Sequence, residues 1–258
     1  MLTVSNNLNI EKAVNQLAKK YNPLNYPVQL TNLLKEIYPT NNFKHFSKYE
    51  LHKEVNNILV QNYKGEEIHK YNLFKKFINK KNLVAAFEIQ VNNSRVDFLT
   101  VNGHTSSFEI KSKLDTLTKV TKQMNDYLLA FEFNYLVIDE SHVNKVMKIL
   151  PSSYGLWCYT NGKYIKLKKA QQNDKIDSQV QLKLLTKQEL ESFFPKKEGI
   201  EDILNYSPAF INTQFKKALK ERYKSRWEFL MNNQNFIFPI DVQFFFNTNI
   251  DPTDIYCY

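Results

Sequence analysis

The stretch Ser94–Lys111, SRVDFLTVNGHTSSFEIK, decides how this chain is read. Two runs rich in β-branched and aromatic residues, Arg95–Val101 and Ser106–Lys111, flank the turn sequence Asn102-Gly103-His104, which predicts a hairpin. Asp97 interrupts the apolar run Val96-Asp97-Phe98-Leu99, and a strand tolerates that charge only on a wet or functional face. Glu109 and Lys111 are two apart and share a face, while Phe108 and Ile110 point to the opposite, core side. Whether Asp97 joins them depends on the parity of the turn. A two-residue turn at Asn102-Gly103 sets Asp97 opposite Phe108 and separates the carboxylates. An odd register unites them. The form expected is a three-residue loop Val101-Asn102-Gly103, with Gly103 in the left-handed conformation.

Leu83–Val91 reads as a strand before this hairpin, joined to it through Asn92-Asn93-Ser94. After it, Asp115 is expected to cap a helix running to about Phe131, with Leu117, Val120, Met124 and Leu128 on one side. Tyr135–Ile138 reads as a buried strand and Glu140–Leu150 as a short amphipathic helix closed by Pro151. Leu156–Thr160 and Lys163–Lys168 flank Asn161-Gly162, a strong hairpin signal.

The first eighty residues carry helical patterns. Ile10, Val14 and Leu17 form one stripe, and Val28, Leu33, Leu34 and Ile37 a second. Tyr49–Tyr63 places Leu51, Val55, Ile58 and Leu59 on one face; Gly65 ends it, and a fourth helix follows to about Ile78. Past Ala170, Gln171–Gln181 is polar and reads as a linker or exposed loop. Thr186 with Glu189 forms a capping box, and Ser207-Pro208 opens a helix to about Met231. The expected organisation is an α/β core over residues 81–168, between a basic helical segment (1–80) and a mostly helical, aromatic-rich region (169–258).

Composition sets limits on function. With 258 residues, 43% hydrophobic and 24% charged, the chain has ample core and an ordinary globular balance. It holds no run of eighteen apolar residues, Met1–Asn15 has no apolar signal core, and two cysteines make no disulfide framework. A reducing cytoplasm and no membrane association are expected. The net charge of +9 is uneven. Residues 1–80 hold twelve lysines against six acids, residues 81–168 eleven basic residues against eight acids, and residues 169–258 twelve of each. The surplus lies before and within the predicted core, which favours a polyanionic partner. The chain has no Gly-x-x-x-x-Gly-Lys phosphate loop, and its five histidines lack zinc spacing.

Two carboxylates beside an ammonium suit phosphodiester hydrolysis. Hard oxygen ligands hold Mg²⁺ or Mn²⁺, the metal lowers the pKa of a bound water, and the ammonium orients that water or meets developing charge. The Ile110 carbonyl lies between the two side chains as a further ligand. The bland alternative is a cross-strand ion pair on a solvated face, worth about 0.2–1 kcal/mol.

The pattern Asp97-(x)₁₁-Glu109-x-Lys111 resembles the signature of the PD-(D/E)XK nuclease superfamily, and what surrounds it looks like a bacterial branch of that group. The likeness runs through Glu88, Ser94-Arg95-Val96-Asp97, Glu109-Ile110-Lys111-Ser112, Asp115-Thr116-Leu117, Gln123, Tyr127 and the strand Tyr135–Ile138. No proline precedes Asp97, a departure from the common form. The resemblance implies a restriction-endonuclease-like core, a mixed sheet flanked by helices. It implies that Asp97 and Glu109 bind metal and that Lys111 assists the attacking water. By the same likeness Glu88 is a further acidic member, with Glu50 and Glu54 as competitors, and Gln123 and Tyr127 face the site one helical turn apart. Arg95, Lys113, Lys119 and Tyr127 are then the expected nucleic-acid contacts, with DNA favoured over RNA. Genome defence, repair and mobile elements all use such enzymes. Three alternatives stand beside this reading: a binding module that has lost catalysis, an RNA-cleaving enzyme of the same fold, and a subunit that dimerises or docks a protein through its aromatic C-terminal region. For those C-terminal rings, Trp227, Phe229, Phe236, Phe238 and Phe244–Phe246, core packing or an interface is favoured over base stacking.

Overall fold

The computed structural model describes residues 7–160, 162–195 and 199–257, and side chains from residue 10 onward within them. Helices α1 (Asn7–Lys20), α2 (Pro27–Ile37), α3 (Lys48–Asn62) and α4 (Glu66–Phe77) come first. Strands β1 (Val84–Val91), β2 (Ser94–Asn102) and β3 (His104–Lys111) follow, then α5 (Val120–Leu128) and β4 (Phe133–Asp139). A 3₁₀ turn (Glu140–His142) and α6 (Val143–Val146) lead to β5 (Gly155–Thr160) and β6 (Lys163–Lys168). The remainder is α7 (Ser178–Lys183), α8 (Lys187–Phe193), α9 (Ile200–Ile203), α10 (Pro208–Asn233), a 3₁₀ turn (Pro239–Asp241), α11 (Val242–Thr248) and α12 (Pro252–Tyr256). Among the described residues no helix is long and apolar enough to cross a membrane.

The chain divides into two compact units, one of residues 1–72 with 229–258, the other of residues 73–228. This differs from the three consecutive segments expected from sequence. The last thirty residues belong with the N-terminal helices, and residues 169–228 belong with the sheet.

In the helical unit, Val14 and Leu17 of α1, Leu30, Leu33 and Leu34 of α2, and Leu51, Val55, Ile58 and Leu59 of α3 close over one core. Ser47 and Glu50 start α3 with a capping box. The C-terminal aromatics mostly serve packing, since Phe245 and Phe246 are buried in this unit and Trp227 in the other. Of the rings singled out from sequence, Phe236 alone is strongly exposed.

The other unit is an α/β layer around a six-stranded mixed sheet in the order β1-β2-β3-β4-β5-β6. The pairs β1/β2, β2/β3 and β5/β6 are antiparallel, and β3/β4 and β4/β5 are parallel. One face carries an aromatic row that runs across β1 to β5 through Phe87, Phe98, Phe108, Tyr135 and Trp157. Phe108 and Tyr135 stack with centroids 4.9 Å apart, and Phe77 and Trp227 close over Phe98. The opposite face takes α5, whose Val120, Met124 and Leu128 pack with Leu136, Ile138 and Leu156. The predicted β5–β6 hairpin is present with Gly162 at φ +76°, and Asn161 lies outside the described residues.

Two expectations need correction. The helix predicted from Asp115 to Phe131 is shorter, Val120–Leu128, because Asp115 accepts the backbone N–H and hydroxyl of Ser112 instead of capping a helix. Gln171–Gln181 is neither linker nor exposed loop throughout. The Asn173 amide donates to the carbonyls of Leu128 and Phe131, and Gln181 Nε2 to that of Ala130, so these side chains satisfy carbonyls left open past the end of α5.

Candidate metal centre

The β2–β3 register pairs Phe98 with Phe108 and Asn102 with His104, so it is centred on the single residue Gly103. Gly103 has φ +75°, a conformation glycine adopts without steric penalty. The parity is odd, as a shared face demands. The three-residue loop form is not found, since Val101 stays in the ladder opposite Thr105. Extended by one step, the register sets Asp97 opposite Glu109. The β1–β2 register pairs Phe87 with Phe98 and Ile89 with Val96, which sets Glu88 opposite Asp97. Each carboxylate is thus the sequence neighbour of a ring in the aromatic row. Because side chains alternate across a strand, the rings form one face of the sheet and the three carboxylates line up on the other.

Neither carboxylate pairing is part of the regular ladder. The Asp97 side chain accepts the Ile110 backbone N–H at 2.6 Å, taking a donor that would otherwise need a backbone or water partner. Glu88 has φ +58°, a left-handed conformation in mid-strand that a non-glycine residue rarely holds. Carboxylate oxygens of Glu88 and Asp97 come within 4.8 Å of each other. Glu88 also forms an ion pair with the exposed guanidinium of Arg95.

Glu109 is 1% exposed and Asp97 7%. One Glu109 oxygen, Oε1, pairs with the Lys111 ammonium; the other accepts the Tyr127 hydroxyl at 2.7 Å. Burial works against the charge on Lys111, but the carboxylates of Glu109, Asp97 and Asp115 outweigh it, so the ammonium titrates above the usual lysine range. Burial, and then the charge on Glu109, drive the Tyr127 phenol far above its ordinary range, so it remains a proton donor. Tyr154, which donates to the Met124 carbonyl, is raised by the same two causes.

Of the residues selected from sequence, Asp97, Glu109, Lys111, Glu88 and Tyr127 come together. Tyr127 does so in a different capacity from the nucleic-acid contact expected of it. Its side chain is fully buried behind Glu109 and offers nothing to a polyanion. Gln123 lies one turn earlier on α5, and its Oε1 is buried with no hydrogen-bond partner among the described residues. Arg95, Lys113 and Lys119 are exposed, as phosphate contacts must be. Glu50 and Glu54 belong to the helical unit, where Glu50 is engaged with Ser47. His142 carried no signal in the sequence; its ring nitrogen Nε2 lies 2.9 Å from the Ser112 carbonyl oxygen, directly after Lys111. The parallel β3/β4 register brings these segments side by side, and sequence order alone does not fix that register.

Glu88 and Asp97 bring hard carboxylate oxygens within 4.8 Å of each other, the spacing a shared small divalent cation requires, and Glu109 holds the next register position. Each carboxylate oxygen has two lone pairs, so the bonds Glu109 makes to Tyr127 and Lys111 leave it able to meet a cation as well.

No curated protein sequence matches the chain. The solved structure of SPO1766, a protein of unknown function from Silicibacter pomeroyi, is similar with a TM-score of 0.38 and 14% identity, over 66% of this chain and 92% of that one. A family described as Bacteriophage P4 protein cII matches residues 59–246, a span holding all six strands of the sheet and every residue of the carboxylate row. Since that match covers well over half of the sequence, the chain belongs to the Bacteriophage P4 protein cII family.

Proposed function

We propose that this protein is a Mg²⁺- or Mn²⁺-dependent nuclease with a restriction-endonuclease-like core, hydrolysing phosphodiester bonds, DNA before RNA. The observation that carries the reading is the row Glu88, Asp97, Glu109 at successive register positions on one sheet face, with Lys111 held on Glu109. The groups that would hold the ion are the carboxylates of Asp97, Glu109 and Glu88 and the Ile110 carbonyl. A bound divalent ion supplies Lewis acidity and a water of lowered pKa. The rest of the work falls to the chain's own groups. Lys111 presents a permanent positive charge where negative charge develops on the phosphoryl oxygens. Tyr127 fixes the rotamer of Glu109 from behind, as partners of metal-binding carboxylates do. Gln123, one helical turn before Tyr127 on α5, is the residue assigned to orient the attacking water. Arg95, Lys113 and Lys119 are exposed cations for flanking phosphates, in keeping with the positive surplus of residues 1–168.

The rival reading is a nuclease-like module without catalysis. It is favoured by one observation, that both Glu109 oxygens already have protein partners. Thermal denaturation with increasing Mn²⁺ separates the two. A nuclease site clusters carboxylates whose repulsion the ion relieves, so the melting temperature rises with a saturable midpoint. No rise in Mn²⁺ or Mg²⁺ leaves the non-catalytic module in possession.

A further inference from the structure

Lys111 is the last residue of β3. The β2–β3 ladder stops at Phe98–Phe108, so beyond that point β3 has a backbone ladder on the β4 side, ending at Lys111–Ile138, and the Asp97 side chain on the other. A strand end held on one side opens locally at little free-energy cost unless something ties it down. Here the next residue is tied at every polar atom.

Ser112 is 1% exposed. Its backbone N–H donates to Asp115 Oδ2 at 2.8 Å, and its hydroxyl donates to the same oxygen at 2.5 Å. That hydroxyl oxygen accepts the Leu114 N–H at 3.3 Å. Its carbonyl accepts the Asp115 N–H at 3.2 Å and faces His142 Nε2 at 2.9 Å. A carbonyl offers no proton, so His142 must carry its own on Nε2. The Asp115 contacts are local, three residues along the chain. The His142 contact is not, because it arrives from the 3₁₀ turn that follows β4. It joins the ends of the two parallel strands where the ladder between them has finished.

We infer that His142 and Asp115 are positioning residues for Lys111: by saturating Ser112 they fix the end of β3 from which the ammonium is presented to Glu109. The inference rests on the nuclease reading for its consequence in turnover, and on Ser112 alone for its structural content. Neither residue touches the reacting atoms. The Lys111 side chain is only 12% exposed and is paired to buried Glu109, so its stem has little slack to absorb a shift of about 1 Å in its backbone anchor; misplacement on that scale lowers rates about a hundredfold. Substrate binding, which uses the exposed cations, is unaffected.

The test uses the full-length chain and the variants His142→Ala, His142→Gln and Asp115→Ala. With Mn²⁺ and a DNA substrate, His142→Ala is expected to lower kcat about ten- to a hundredfold, with KM and the Mn²⁺ midpoint unchanged within about twofold. His142→Gln restores most of the rate, because its amide donates to the same carbonyl. A merely structural histidine shows neither the kcat-only loss nor the rescue. Amide exchange is measured on the same proteins. In His142→Ala, Ser112, Leu114 and Asp115 exchange faster while Ile110, held by Asp97, keeps its protection. If His142→Ala fails to fold, Asp115→Ala supplies the comparison, since it removes the one oxygen that accepts from both Ser112 donors. Unchanged kcat and unchanged exchange in the folded variants overturn the proposal. If the parent chain cuts no nucleic acid, the nuclease reading fails by itself, and the exchange pattern still decides for or against the clamp.

Discussion

The Asp97 carboxylate accepts the backbone N–H of Ile110 at 2.6 Å, so the residue that heads the candidate site also serves as a ladder partner for β3. Asp97→Asn separates the two roles. The amide oxygen still accepts from Ile110, so unfolding in the absence of metal changes by only about 1 kcal/mol. A neutral amide is a poor Mg²⁺ ligand, so the melting shift produced by Mn²⁺ disappears. A shift that persists in the variant means the ion sits elsewhere.

Lys111→Ala removes the cation from a buried carboxylate. Glu109 keeps its bond from Tyr127, but its charge loses its ammonium partner, so the metal-free protein melts at a lower temperature. The vacated lone pairs favour a divalent ion, so the Mn²⁺-induced shift grows while turnover is lost. A smaller shift than in the parent protein contradicts this account of Glu109.

Tyr127→Phe deletes one hydroxyl from the back of Glu109. A bond to a charged acceptor contributes about 1.5–3 kcal/mol, and loss of such a partner weakens metal binding about ten- to a hundredfold. Calorimetric titration of Mn²⁺ measures the change directly. Affinity equal to that of the parent protein shows that Tyr127 packs without orienting.

Glu88→Gly and Glu88→Ala form a matched pair. Both lose the carboxylate, but only glycine accepts φ +58° without strain, so the glycine variant is expected to be more stable by about 1 kcal/mol. Both weaken Mn²⁺ binding equally. Equal stability of the two variants, read from urea midpoints, removes the case for backbone strain at Glu88.

The helical unit predicts a pH dependence of its own. Asp241 is buried among Tyr21, Tyr256 and Asn56, which donate to its Oδ2 at 3.0, 2.7 and 3.4 Å. Burial pushes its carboxyl up to about 7 despite those donors. Burial, with Lys48 nearby, lowers His52 from 6.5 to about 4. A raised acid holds its proton longer when folded, so Asp241 contributes stability that is full below 3.8 and lost as pH rises through about 7. A lowered base does the reverse, so His52 contributes stability that is full above 6.5 and lost as pH falls through about 4. Their slopes oppose one another between about 4 and 6.5, and Asp241 acts alone from 6.5 to about 7. Asp241→Asn leaves His52 uncompensated, so stability then climbs with pH up to 6.5 and is level above it. Parallel urea profiles for parent and variant from pH 4 to 8 rule this out.

Much of the sheet was legible because its signals are local. The strands, the turn glycines Gly103 and Gly162 and the capping box at Thr186 each depend on residues within a few positions of one another. The shared face of Asp97 and Glu109 was legible only as a condition on parity, and Gly103 met it with one left-handed residue where a three-residue loop was expected. Three features were closed to sequence reasoning because distant segments decide them. The left-handed Glu88 is set by pairing across β1 and β2, Asn173 by the open carbonyls beyond α5, and His142 by a parallel register. The position of Tyr127 is legible in the sequence, but only its burial separates support of Glu109 from contact with a nucleic acid.

The central claim is tested most directly by incubating the full-length chain and its Lys111→Ala variant with duplex DNA, single-stranded DNA and RNA in Mn²⁺, with and without a chelator. The account predicts cleavage of DNA by the parent chain, none with chelator and none by the variant, while the variant still shows a Mn²⁺-induced melting shift. Absence of cleavage on all three substrates, or equal cleavage by both proteins, contradicts it.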